Sequence, residues 1–427
     1  MKNKIFIFST MLIFTASFCF SQYKSYGYIA IKGANIIPVV GDDIIDGIIL
    51  IKGGLIEAIG KNVSIPPEAK IINASGQFAY PGMIDGYCHL GLIEISNVPA
   101  AVDYRELGRI NPQLKAVEAL RPDSVHIPIA RANGITAALI APSGGLISGQ
   151  SGLIRLNGWT PEEMTIKSSV AMHIELSAMP TYFRGKEINP RENALEQIEE
   201  LKEILNKVRY YQREKNAAQR NLLLPFPEFD EELEFLIPVV KGELPVMISV
   251  HADRDIKAAI KFVQEEKLEA IFFGVTQGWK VAEEIKKSGI PVVVGSLYEF
   301  PPKWEDGYDS LCRNVIDLCK AGVKFAFSSQ GSLPPLSTDL PYQAGRAVAF
   351  GLDKKEALKG VTIYPAQIFG LSDKMGSLEK GKVANIVLTD GDIFEIRTNV
   401  KHLFISGKEV DLTTKYDELL EKFIKRD

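Results

Sequence analysis

The chain has 427 residues, 46% hydrophobic and 24% charged, with a net charge of −4. That length suits one large domain with a small companion. The mild acidity gives no basic footprint, so no nucleic-acid partner and no basic membrane patch are expected.

Residues 1–21 are expected to be a secretory signal peptide. Met1-Lys2-Asn3-Lys4 is basic, Ile5 to Phe20 is mostly apolar, and Ser21-Gln22 follow. The apolar run is short for a membrane anchor, the alternative. Cys19 suggests a lipoprotein, but Phe18 precedes it where a small residue belongs. The mature chain is expected to be exported, periplasmic or extracellular, with no membrane attachment after cleavage. It keeps Cys88, Cys312 and Cys319. The last two are seven apart on a predicted helix, about 10 Å, too far to bridge. The chain does not read as a disulfide scaffold.

Residues 22–80 read as short strands broken by turns. Asp46-Gly47 is expected to open one hairpin into Ile48–Ile51, and Gly53-Gly54 another into Leu55–Ile59. From 81 to about 372, buried strands alternate with amphipathic helices, the rhythm of a parallel barrel. Strands are expected at Gly134–Ile140, Leu244–Val250, Ala270–Phe273, Ile290–Val294 and Val323–Phe327. Gly144 to Gly152 is expected as a glycine-rich loop after the second strand, a tight turn or a place where backbone approaches a ligand. His173 is expected on a third strand, packed or capped rather than ligating. Residues 192–236 read as a charged helical insertion, with Leu201, Ile204, Leu205 and Val208 at helical spacing. It is expected to act as a lid or packing element, or more weakly as a coiled partner helix. Residues 373–427 return to strands and end in a helix.

The segment Pro81-Gly82-Met83-Ile84-Asp85-Gly86-Tyr87-Cys88-His89 resembles the first barrel strand of the amidohydrolase superfamily, Pro-Gly-x-Ile-Asp-x-His-x-His. Gly53 to Gly60, Pro365 to Leu371 and Gly376 to Leu388 resemble the same family, in its imidazolonepropionase-like branch. The resemblance covers nearly the whole mature chain. It implies a TIM-like (β/α)8 barrel with a small composite β-sandwich built from both ends of the mature chain. It also implies a divalent metal, zinc before others, held by two first-strand histidines, a fifth-strand histidine and an eighth-strand aspartate. That aspartate would also be the base toward a metal-bound water.

Carried over residue by residue, that set is broken. His89 and His251 stand at two ligand positions. Tyr87 replaces the first histidine and Gln330 replaces the aspartate. Glutamine takes no proton from water, and a tyrosine with an ordinary pKa near 10 ligates only as phenolate. The fourth strand shows no lysine for a carbamylated bridge, and Phe273 to Trp279 carries no sixth-strand histidine. Tyr298, Gly145 and Ser148 are expected to line a substrate pocket. Asp85 is expected to hydrogen-bond its loop, His126 to be structural near a helix start, and His402 to belong to the sandwich.

Three functions stay open on these residues. One is an exported hydrolase of non-peptide or small peptide-like C–N bonds with an atypically completed site. Another is an inactive homologue that binds a small-molecule ligand, assembles with itself, or partners an active paralogue. The third is metal-free acid–base catalysis by Tyr87 with His251.

Overall fold

Isoleucine-rich alternating segments build the first domain, because β-branched side chains suit a pleated, half-buried surface. Strand Ile29–Ile36 pairs antiparallel with Ile44–Lys52 and parallel with Lys70–Asn73 and Phe78–Pro81. Ile386–Thr389 then pairs antiparallel with Phe78–Pro81, and Val400–Ile405 pairs with Ile386–Thr389. The two ends of the chain thus share one eight-stranded sheet. Its core is Ile31, Ile36, Ile49, Ile51, Ile386 and Phe404 among others. The computed structural model describes residues 27–176, 182–183, 186–187, 194–301, 303, 305–330 and 338–426. The expected signal peptide and Cys19 lie outside them.

One turn is placed differently from expectation. Asp46-Gly47 lies inside strand Ile44–Lys52, where Gly47 faces Ala34 at a register shift and Asp46 has φ 54°. It is a bulge, not a hairpin turn. Glycine there leaves room for Ile36, whose Cδ1 would lie 2.5 Å from a Cβ. Gly53-Gly54 does close the hairpin to Leu55–Gly60.

The second sheet forms the barrel. Its strands in order are Met83–Cys88, Ile135–Ile140, Ile147–Arg155, Thr165–Glu175, Val246–Val250, Ala270–Gly274, Val292–Val294 and Phe325–Phe327. The third is antiparallel to both neighbours, and the other ladders are parallel. This corrects two expectations. Residues 147–152 are strand rather than glycine-rich loop, and His173 lies on the fourth strand, not the third. Glycine survives in that strand because the chain segment around 111–117 packs onto it. A Cβ at Gly149 would meet Leu114 O at 2.7 Å, and one at Gly152 would meet Val117 Cγ1 at 2.3 Å.

First and eighth strands close the ring at a tight seam. Gln330 N donates to Tyr87 O at 3.2 Å, and a Cβ on Gly86 would lie 2.7 Å from Phe327 O. Ile84, Leu139, Leu153, Met247, Ile271 and Val293 fill the interior, so the barrel is a packed core rather than a pore.

The helical insertion is a packing element. Helix Ala194–Arg220 buries Ile198, Leu201, Leu205 and Val208. It lies on helices Glu231–Val240 and Asp253–Glu266, with Arg209 paired to Glu266 at 2.6 Å. Cys312 and Cys319 share helix Ser310–Ala321, and they and Cys88 are unpaired among the described residues. The last helix, Lys415–Ile424, is capped by Thr414 and Asp417 and buries none of its residues. No helix among the described residues is long and apolar enough to cross a membrane.

Candidate functional site

The site sits where barrel strands end. Tyr87 is buried, and its ring stacks on Phe273 of the sixth strand with centroids 3.9 Å apart. The imidazoles beside it are those of His89, edge-on at 5.5 Å, and His173, tilted at 5.7 Å. The Ser143 side chain hydrogen-bonds the phenol, and the Glu175 carboxylate acts on it from nearby. Burial first, then Glu175, pushes the phenol well above the ordinary tyrosine range. Tyr87 is therefore a neutral hydroxyl at physiological pH.

His89 Nδ1 lies 2.9 Å from Ala141 O. A carbonyl only accepts, so that contact places the proton on Nδ1 and leaves a lone pair on Nε2. Tyr104 stacks flat on the ring at 4.0 Å. Burial pulls the His89 pKa down to about 4.

His251 ends the fifth strand against Gly274, where a Cβ would lie 2.4 Å from the imidazole Cε1. Glycine at 274, with φ 88°, lets the strand turn past the ring. His251 Nδ1 is buried with no partner among the described residues, and burial lowers its pKa. Gln330, with φ 50°, accepts from Ser296 N through Oε1 at 2.5 Å. The one side-chain atom that glutamine offers a cation is thus turned onto the loop after strand seven.

Asp85 takes the role expected for it and extends it across the seam. Its Oδ1 accepts from Tyr87 N at 3.2 Å and from Ser329 N at 3.0 Å, and its Oδ2 accepts from the Ser329 hydroxyl. It ties strand one to strand eight beside Tyr87 and Gln330. Burial raises its pKa to about 6, against the Ser329 and Tyr87 hydrogen bonds. Asp85→Ala leaves three donors unpaired, and a loss of about 3–5 kcal/mol in urea-unfolding stability is expected. Asp85→Asn keeps an acceptor for both backbone amides and is expected to hold stability near wild type at pH 7. Equal losses in the two variants would show that the hydrogen bonds are not what matters.

His173 is buried, its Nε2 lacks a partner among the described residues, and its pKa falls to about 3, through burial first and His89 second. Two residues on, Glu175 lies on the same strand face and accepts from Gly144 N at 2.8 Å. Burial raises its pKa. Glu175 has no expected role in the sequence, where its strand reads as the third and only His173 stands out on it. Period-2 alternation from His173 was the signal that would have found it.

Of the expected pocket residues, Ser148 lies across the ladder from His173, between the Ile147–Ile174 and Gly149–His173 pairs, and Gly145 follows Gly144, whose N–H donates to Glu175. Gly145, with φ 80°, yields to backbone, since a Cβ would meet Arg109 O at 2.7 Å. Ser148 is buried in the third strand with its Oγ unpartnered among the described residues. Tyr298 is half exposed, lies under the Arg346 guanidinium at 4.8 Å and donates to Tyr342 O at 3.3 Å. It belongs to the flank formed by helix Leu340–Ala349. His126 starts helix His126–Ala132 with Nε2 3.3 Å from Glu94 O, and His402 pairs with Glu409 at 2.7 Å in the sandwich. A cavity of about 180 Å³ lies elsewhere, lined by Val39, Phe78, Tyr80, Lys355 and Leu358 at the junction with the sandwich.

The donor set does not fit a tightly held zinc. His89 and His251 are neutral imidazoles, but Tyr87 is held protonated and the Gln330 carbonyl is engaged. Among the described residues, no three histidine, cysteine, aspartate or glutamate side chains gather as a metal-holding group. A catalytic zinc needs about three protein ligands and an open position.

The amidohydrolase family model matches residues 245–410. Imidazolonepropionase from Streptococcus gordonii is 25% identical over 396 residues, 86% of this chain and 90% of that protein. The imidazolonepropionase of Pseudomonas entomophila is 25% identical over 384 residues, 80% of this chain and 87% of that one. The crystal structure of an amidohydrolase from Thermotoga maritima superposes with a TM-score of 0.82 at 28% identity, over 90% of this chain and 99% of that one. The chain belongs to the amidohydrolase superfamily. Its full-length relatives place it in the imidazolonepropionase-like branch. Amidohydrolases typically hold a divalent metal such as zinc. This amidohydrolase keeps the barrel and its imidazoles while Tyr87 and Gln330 depart from the ligand set.

Proposed function

We propose that the barrel mouth binds a small neutral molecule with an amide or cyclic-amide C–N bond, and that it does so without metal-assisted hydrolysis. The observation that carries this is the pairing of two engaged side chains. Tyr87 is stacked on Phe273 as a neutral phenol, and Gln330 is turned onto Ser296 N. Neither is poised to ligate or to take a proton from water. What the mouth does offer is a lone pair on His89 Nε2 beside the phenol of Tyr87. An acceptor next to a donor complements an amide N–H and C=O. The Nε2 of His173, without a partner among the described residues, adds a buried polar atom that a ligand would satisfy. In this role the protein is exported, periplasmic or extracellular, and serves as a binder or as the partner of an active paralogue.

A second function, C–N hydrolysis at an atypical centre, draws on one observation. The His89 tautomer already points an unprotonated Nε2 away from Ala141, as a ligating histidine would. Titration calorimetry of the mature protein against a panel of cyclic amides and N-acyl amino acids, with and without EDTA, separates the two. Saturable heats unchanged by EDTA, with no product by mass spectrometry, are expected. Product formation, or binding abolished by EDTA, would move the conclusion to hydrolysis. No binding across the panel would overturn the ligand class.

A further inference from the structure

The C-terminal helix Lys415–Ile424 presents Tyr416, Leu419, Leu420, Phe423 and Ile424 on one stripe, at the i, i+3, i+4, i+7, i+8 spacing of an amphipathic face. These side chains are between 38% and 70% exposed, and no residue of the helix is buried. A ten-residue helix is below the roughly 12–15 residues at which isolated helices hold in water. The Thr414–Asp417 capping box steadies its start but leaves the stripe uncovered.

Charge is sorted along the helix. Lys415 aside, the acidic residues Asp417, Glu418 and Glu421 come first, and Lys422, Lys425 and Arg426 follow. The helix is close to neutral overall, unlike the cationic helices that lie on anionic lipid. Its own antiparallel copy, however, sets the acidic half of one helix against the basic half of the other, with opposed helix dipoles. Such a two-fold contact is self-complementary and closes at two copies. The internal contacts it would replace are weak. They are the exposed Lys425–Glu421 pair at 3.4 Å and Arg426 over the Phe423 ring at 4.5 Å.

We propose that this helix is a homodimer interface, in which two copies of the chain pair their C-terminal helices antiparallel through the Tyr416–Ile424 stripe. One helix pair is a small contact, below about 1,200 Å² in total, so a dissociation constant on the order of micromolar is expected.

Sedimentation velocity of the full mature chain from about 1 to about 100 μM spans that range. A concentration-dependent monomer–dimer equilibrium that weakens with added NaCl is expected. Leu420→Glu is expected to weaken it at least tenfold with an unchanged melting temperature, because the helix contributes nothing to the core. Glu418→Lys with Glu421→Lys, which leaves the Thr414–Asp417 cap intact, should abolish self-association, as should Lys422→Glu with Lys425→Glu. A one-to-one mixture of those two variants should restore a dimer. A chain monomeric at every concentration overturns the proposal, as does a dimer indifferent to Leu420→Glu. Co-sedimentation of a monomeric chain with phosphatidylglycerol vesicles, lost in Leu420→Glu, would assign the stripe to lipid instead.

Discussion

Exchanging Tyr87→His and Gln330→Asp in one chain is expected to raise zinc affinity by on the order of a thousandfold or more, because a complete four-ligand site binds zinc with about 10–16 kcal/mol. The readout is metal retained after desalting, measured by elemental mass spectrometry. About one zinc per chain is expected in the double variant and far less in wild type. The reasoning is ligand by ligand. His89 already presents Nε2, fixed by Ala141 O, and His251 carries a buried Nδ1 with no partner among the described residues. A histidine at 87 would replace a phenol that burial keeps protonated. An aspartate at 330 is one methylene shorter, so it would release Ser296 N and bring a charge. Each single variant leaves the set one ligand short, so the two changes are expected to be strongly non-additive. A double variant that still loses its zinc would mean that backbone placement, not side-chain identity, keeps metal out.

Mild acid should destabilise this protein before it protonates ordinary carboxylates. His89 and His173 have folded-state pKa values of about 4 and about 3, both below the ordinary histidine value of 6.5. A lowered folded pKa contributes stability that is present above about pH 6.5 and is lost as pH falls toward the folded value. Between pH 7 and 4.5 each of the two histidines therefore removes about 2.5 kcal/mol, since each pH unit below 6.5 costs up to about 1.4 kcal/mol. Asp85 acts the other way. Its folded pKa of about 6 is raised from 3.8, so stability returns as it takes its proton below pH 6. That offsets about 2 kcal/mol by pH 4.5. The histidines win, and a net loss of about 3 kcal/mol between pH 7 and 4.5 is expected by urea unfolding. His89→Gln with His173→Gln should reverse the slope, leaving the Asp85 contribution visible. A stability flat over this range in wild type would mean that the imidazoles reach water.

Most of the architecture was legible because it rests on short-range rules. Short, nearly continuous apolar runs such as Val246–Val250 and Phe325–Phe327 declare buried strands, and Leu201, Ile204, Leu205 and Val208 declare a helix face. The misplacements come from tertiary contacts that composition does not show. Gly149 and Gly152 look like loop residues, yet they are strand residues whose missing side chains make room for Leu114 and Val117. Asp46-Gly47 has hairpin chemistry but sits in a bulge because Ile36 packs onto Gly47. At the site, Tyr87 and Gln330 were visible as departures. Where those side chains go was not, since Phe273 and Ser296 lie nearly two hundred and about thirty positions away from them in the chain. Glu175 was not legible as a site residue because its strand reads as the third, and the antiparallel strand that shifts it to fourth is set by tertiary pairing.

The sheet shared by both chain ends also sets an order of events during folding. Strand Phe78–Pro81 finds its antiparallel neighbour only when Ile386–Thr389 appears, some three hundred residues later. Until then one flank of the isoleucine-rich sheet lacks its hydrogen-bonding partner, a template for wrong pairings. A chain emerging at about 5–20 residues per second would spend roughly 15–60 s in that condition. The last stretch to be made thus completes the first domain, and a nascent chain stalled inside the barrel would carry an open strand edge that chaperones, not its own fold, must cover.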